Sequence, residues 1–164
     1  MFHYTSHHIL LNILSSNRPQ ALAWIAGNEN HPQLNGMVKF YGIPYDGILI
    51  EAEIFHLPEI PPDAPSSFFG FHIHENGDCS DNFQNTGNHC NPTDAQHPFH
   101  AGDLPPLMSS RGYAWTAFYT TKLSIPELIG KSVVIHGHPD DFTTQPSGNS
   151  GEKIGCGVIR PIEN

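Results

Sequence analysis

His72-Ile73-His74 closes an apolar run that begins at Phe68. Side chains two apart on a strand leave from the same face, roughly 7 Å apart along the backbone, so two imidazoles so placed can converge on one ion. Taken alone, the pair also fits two exposed polar residues at a strand edge. Val133-Val134-Ile135-His136 brings another imidazole to a strand end, and His89 lies in the irregular stretch between. Four imidazoles suit copper, whose Cu(II) state prefers tetragonal nitrogen coordination. His138 competes with His136, because Gly137 alone separates them and an extended chain turns both to one face. His136 is preferred because it follows the apolar run.

A second group follows in His97-Pro98-Phe99-His100-Ala101-Gly102-Asp103. Three histidines and one carboxylate make a tetrahedral zinc set, and His89 can supply the third imidazole. Each motif is weak by itself. Together, six histidines and one aspartate between His72 and His136 read as a two-metal site that sets a redox-active metal beside zinc. The chain holds twelve histidines; His3, His7, His8, His31, His56 and His138 stand outside these motifs.

The elements that must position these groups are strands. The 164 residues suffice for one compact domain and are too few for two ordinary ones. Fifteen glycines and fifteen prolines break the chain too often for long helices. Strands are expected over 21–25, 36–41, 47–55, 68–74, 113–120, 132–136 and 155–160, with a short helical turn over 124–129. The clearest alternation is in the third: Ile48, Ile50, Ala52 and Ile54 point one way, Glu51 and Glu53 the other. A proline-rich connection (Pro58, Pro61, Pro62, Pro65) follows it. Residues 75–102 show no periodicity, and a loop that long in a compact domain is functional or disordered. A second irregular loop covers 137–153. The pattern predicts an all-β sandwich or barrel carrying a site on its loops, with residues 1–19 as an appendage or short helix and 20–164 as the domain.

In order along the chain, Gly70-Phe71-His72-Ile73-His74-Glu75-Asn76, Gly87-Asn88-His89-Cys90-Asn91-Pro92, His100-Ala101-Gly102-Asp103-Leu104, Val134-Ile135-His136 and Gly155-Cys156-Gly157-Val158-Ile159 resemble the Cu/Zn superoxide dismutase family, in its bacterial form. The likeness runs from about Ala21 to Arg160. It implies an eight-stranded Greek-key β-barrel with two long loops holding copper and zinc outside it, an architecture grouped with the β-sandwiches. It implies copper on His72, His74, His89 and His136, and zinc on His89, His97, His100 and Asp103, with His89 as the bridge. Asp140 resembles the carboxylate that orients His72 and His97 through their free ring nitrogens; its distance from His136 also matches the family. The implied activity converts superoxide to dioxygen and hydrogen peroxide by copper redox cycling, with His89 carrying a proton.

Three cysteines allow one disulfide and one thiol, or three reduced core residues. The resemblance pairs Cys79 with Cys156 and leaves Cys90 as a free thiol. Two departures stand out. The segment between His97 and His100 is shorter than in most relatives, which tightens the zinc geometry. The family's active-site arginine falls at Lys153, which keeps the charge and loses the planar fork of donors, and Glu152 beside it weakens the local field. The net charge of −9 argues against nucleic-acid or anionic-membrane partners. It also means that superoxide, itself an anion, needs a local positive feature such as Lys153. Residues 9–14 are apolar but shorter than a usual signal core, and Ser15-Ser16-Asn17 is a poor cleavage site. The reading is therefore a soluble protein of open address, monomer or homodimer, with a disulfide that hints at an oxidising compartment. A dismutase-like protein that buffers or delivers copper and zinc with little turnover is the alternative.

Overall fold

Strand β1 (Ala21–Gly27) opens a meander with β2 (Asn35–Gly42) and β3 (Ile48–Phe55) in a computed structural model that describes residues 6–16, 18–43, 46–59 and 67–163. His3, Asn17, Pro44, Tyr45, Pro61, Pro62 and Pro65 of the sequence reading lie outside the described residues. The alternation read in β3 has a clear physical basis. Ile48, Ile50, Ala52 and Ile54 are fully buried, while Glu51 and Glu53 stand on the outer face and are only partly covered.

After β3 come β4 (Phe68–Phe69), β5 (Phe71–His74), β6 (Leu107–Met108), β7 (Ala114–Thr120), β8 (Ser132–His136) and β9 (Lys153–Pro161). Seven antiparallel strands form one sheet in the order β5-β8-β9-β1-β2-β3-β7, and β4 pairs with β6. The chain crosses from β3 to the far edge at β5, returns to β7 beside β3, then crosses again to β8 beside β5. These crossovers give the Greek-key pattern. The sheet curls so that its inner face encloses one core, with Phe40, Phe69, Phe71, Ile73 and Ile135 all at 2% exposure or less.

The seven strand ranges read from the sequence become nine strands, because β6 is added and the one expected over 68–74 is divided at Gly70. There the Gly70 amide donates to the His138 carbonyl and the Gly70 carbonyl accepts from His136, so pairing passes from β6 on one side to β8 on the other. The two residues of β6 carry too little alternation to be read from sequence. Helix α1 (Ser6–Ser16) seats Ile13 on Tyr41 and Leu49, outside the main core. Helix α2 (Ile125–Leu128) is the predicted helical turn, shortened by a residue at each end.

A Cys79–Cys156 disulfide ties the long loop to the middle of β9, and Phe83 and Val134 pack beside it. It closes 77 residues of sequence separation, a cross-link of the kind that stabilises by roughly 2–4 kcal/mol. Cys90 is a buried free thiol.

A candidate two-metal centre

On β5, Phe71 and Ile73 point into the core, so alternation turns His72 and His74 to the opposite face, where the loops cover them to 0% and 2% exposure. The covering is built from backbone. The Cys90 amide donates to the Ile73 carbonyl, the Ile73 amide to Gly102 and the Gly102 amide to Cys90. These bonds lay the ends of the long loop along β5 and set His74 opposite His89 and His72 opposite Asp103.

At the end of β8, Ile135 points into the core, so alternation turns the His136 ring to the other face, beside His72 and His74. His138 is exposed and stays outside. Of the two, His136 alone joins the buried group.

Six histidines and Asp103 fall into two adjoining groups. His72, His74, His89 and His136 form one; His89, His97, His100 and Asp103 form the other. In each, one potential ligand atom per residue lies within 4.8 Å of all the others. The His97–His100 segment closes through a turn in which the Phe99 amide donates to the Gln96 carbonyl (2.8 Å). Asp103 Oδ2 lies 3.2 Å from Nδ1 of both His97 and His100.

The ring protons follow from their partners, because carboxylates and carbonyls only accept. His72 and His97 each donate from Nε2 to Asp140, at 2.8 Å. His74 donates from Nδ1 to the Gly87 carbonyl at 2.9 Å, and His136 makes a longer bond from Nδ1 to Gly151 at 3.4 Å. One nitrogen of each ring is thus held by protein, and the other is left with a lone pair. His74 Nε2 and His136 Nε2 face each other at 3.3 Å.

Among the described residues, four buried side-chain atoms have no hydrogen-bond partner: Nδ1 of His72, Nε2 of His89, Nδ1 of His97 and Nδ1 of His100. Leaving such an atom unpaired costs about 1–3 kcal/mol, and here all four belong to the two groups. His89 is exceptional, since its Nδ1 lies 2.7 Å from Asp103 while its Nε2 has no partner. A cation in each group satisfies these atoms, so the donor set fits imidazole-rich copper and a three-histidine, one-carboxylate zinc site.

Burial keeps His72, His74 and His136 in the ligating, neutral form. It pushes His74 down to about 2 and His136 down to about 3, with the neighbouring histidines adding to the effect. Burial works the other way on Asp140, raising it, yet hydrogen bonds from His72, the Phe142 amide and His97 hold it down at about 2. Gly148 comes so close to Asp140 that any Cβ there would overlap the carboxylate, and its φ of +66° is one that other residues rarely adopt.

Beside the first group opens a cavity of about 800 Å³, lined by His74, His89, His136 and Lys153, with Glu75 and Asp94 on its wall. Lys153 is half-buried, and its ammonium donates to Thr86 Oγ1 (2.8 Å), the Phe83 carbonyl (3.3 Å) and the Gly87 carbonyl (3.4 Å). Phe83 and Thr86 sit on a tight segment (Asp81–Thr86) in which Asp81, Asn82 and Phe83 all have positive φ, and Gly87 follows it directly. Lys153 therefore braces a strained backbone and also presents charge to the cavity.

Gln145 was not anticipated from sequence. Its carboxamide clasps the backbone of His97, accepting from the amide at 3.0 Å and donating to the carbonyl at 2.7 Å. Thr86, which receives the Lys153 ammonium, is a second such residue. Both depend on how two irregular loops meet, and no periodicity marks that.

A family model described as copper/zinc superoxide dismutase (SODC) matches residues 34–159. The chain is 34% identical to "Superoxide dismutase [Cu-Zn] 1" of Aquifex aeolicus over 130 residues, covering 70% of this chain and 73% of that protein. It is 33% identical to a "Superoxide dismutase [Cu-Zn]" of Legionella pneumophila, covering 79% of this chain and 80% of that one. Among solved structures, a double mutant of a SOD-like protein from Bacillus subtilis superposes with a TM-score of 0.70 at 29% identity, covering 85% of this chain and 96% of that one.

Proposed function

The chain belongs to the copper/zinc superoxide dismutase family, and from that membership we propose that it converts two superoxide anions and two protons to dioxygen and hydrogen peroxide. His72, His74, His89 and His136 would hold copper; His89, His97, His100 and Asp103 would hold zinc. The observation that carries this reading is the set of four buried, partnerless ring nitrogens, with His89 shared between the groups. Copper, when bound, supplies a reversible one-electron couple; the rest is the work of the chain. Asp140 fixes His72 and His97 from behind. His89 Nε2 reaches the cavity wall with no protein partner, where it can take up a proton and pass it to the forming peroxide. Lys153 draws the anion toward a cavity that Glu75 and Asp94 would otherwise disfavour.

Elemental analysis tests the metal assignment. Protein reconstituted with both ions should hold one copper and one zinc per 18.1 kDa chain. Uptake of zinc with no copper would overturn the first ligand set.

Lys153 gives a separate test. At low ionic strength, Lys153→Gln should slow superoxide loss about tenfold, at the lower end of what electrostatic focusing supplies. The deficit should shrink as salt rises, since screening acts over roughly 10 Å at 0.1 M. Lys153→Arg should match or exceed the parent, because arginine keeps the charge and adds oriented donors. An unchanged rate and salt dependence in Lys153→Gln would remove the steering role and leave the bracing of Asp81–Thr86.

A second reading, a metal-binding relative with little turnover, is favoured by one observation: the Lys153 ammonium is engaged by three protein acceptors. The similarity to a SOD-like Bacillus subtilis protein is compatible with it.

A further inference from the structure

His97 lies on an irregular turn and is buried, at 3% exposure. Among the described residues, the only hydrogen-bond partner of its backbone amide and carbonyl is the Gln145 carboxamide. The carboxamide pairs as a peptide unit does in a ladder, with Oε1 accepting at 3.0 Å and Nε2 donating at 2.7 Å. Its orientation is fixed, because an N–H needs an acceptor and a carbonyl needs a donor. Gln145 thereby satisfies two backbone groups of a buried residue that would otherwise go unpaired.

The ring is held from the same loop, since His97 Nε2 donates to Asp140 Oδ1 at 2.8 Å. Asp140 and Gln145 belong to one tied stretch, in which the Asp141 amide donates to the Gly148 carbonyl and the Gly148 amide to the Thr144 carbonyl. With the backbone and Nε2 both gripped, little freedom is left to re-aim Nδ1. That atom has no hydrogen-bond partner and lies 3.2 Å from Asp103 Oδ2. The two grips differ in reach. Asp140 serves His72 as well, whereas Gln145 acts on His97 alone.

We propose that Gln145 is a positioning residue that reserves the second group (His89, His97, His100 and Asp103) for zinc against copper. The inference rests on the assignment of zinc to that group. On affinity alone Cu(II) outbinds Zn(II) at nitrogen and oxygen ligands, so a protein that keeps the two apart does so by geometry. Zinc takes a tetrahedral set, and Cu(II) prefers a tetragonal one. His100 and Asp103 lie on one tight turn, where the His100 amide donates to Asp103 Oδ2 and the Asp103 amide to the His100 carbonyl. Their relative placement is therefore local. His97 is three residues earlier and has no such bond to either backbone, so its placement depends on the clasp from Gln145. A His97 free to shift lets the four ligands flatten toward the arrangement copper prefers. Gln145 itself touches no ligating nitrogen.

Titration of the full, zinc-loaded chain with Cu(II), followed by elemental analysis, tests the proposal. The parent should end with one copper and one zinc per chain. Gln145→Ala should bind zinc about tenfold more weakly, at the lower end for loss of an outer hydrogen-bond partner, and should exchange it for a second copper. Copper affinity at the first group should be unchanged. Cobalt(II) in place of zinc gives a spectroscopic readout, because the intense visible bands of tetrahedral cobalt should weaken in the variant. Gln145→Glu keeps the length and the acceptor for the His97 amide but loses the donor to its carbonyl, so it should fall between alanine and the parent. Thr143→Ala removes only a bond to Asp141 on the exposed turn of the same loop and should match the parent. Zinc retained by Gln145→Ala as tightly as by the parent would overturn the proposal. Loss of both metals by the same factor would also overturn it, as the mark of a weakened loop. A parent that binds no zinc would overturn the zinc assignment itself, and the proposal with it.

Discussion

His89→Ala should lose copper and zinc together. His89 is the only residue common to both ligand groups, with Nδ1 at 2.7 Å from Asp103 and Nε2 buried without a protein partner. Alanine removes a direct ligand from each group at once and leaves the carboxylate of Asp103 without its closest ring. Losing an outer hydrogen-bond partner already costs about 10–100-fold in metal affinity, so losing a ligand should exceed that at both sites. His97→Ala is the comparison, because His97 belongs to the second group alone. It should weaken zinc strongly and copper far less. Competition against a chelator, run for each metal on each variant, reads the difference directly. Zinc held by His89→Ala with the parent's affinity would mean that the ring serves one site, not two.

Asp140→Ala should weaken both metals by about 10–100-fold without touching a ligand. One carboxylate accepts from Nε2–H of His72 through Oδ2 and from Nε2–H of His97 through Oδ1. It thereby keeps Nδ1 of each ring deprotonated and aimed inward. Removing it frees both rings to turn or change tautomer and strands two buried N–H groups, each at a cost of about 1–3 kcal/mol. Asp141→Ala provides the control. Asp141 accepts only from Thr143 and Thr144 on an exposed turn, so its loss should leave both affinities nearly unchanged. Equal effects from the two aspartates would refute the orienting role and point to general loop stability.

The contrast between these neighbours shows how far sequence reaches. A strand's period of two was enough to put His72 and His74 on one face, and the apolar run before His136 was enough to place that residue near them. The choice between His136 and His138 was harder, because an extended chain turns both to one face, and burial of the one and exposure of the other depend on the loops that close over the site. Gln145 and Thr86 were invisible for a related reason. Each acts across loops distant in sequence, Gln145 on His97 and Thr86 on Lys153, and irregular backbone carries no pattern from which to infer such contacts. Lys153 was legible as a positive charge near the site; that its ammonium braces Phe83 and Gly87 was not. In the fold, long alternating strands such as β3 were read within a residue, whereas the two-residue β6 and the break at Gly70 depend on partners supplied by the closed sheet.

Turnover of superoxide by the copper- and zinc-loaded chain is the most direct measurement of the proposed activity. A pulse of superoxide in large excess over protein should decay to completion at a rate proportional to protein concentration. One hydrogen peroxide and one dioxygen should appear for every two superoxide anions consumed, and zinc-only protein should add nothing to spontaneous decay. If loss stops once about one superoxide per bound copper has reacted, the site takes up an electron without cycling, and the chain is a metal-binding member of its family rather than a dismutase.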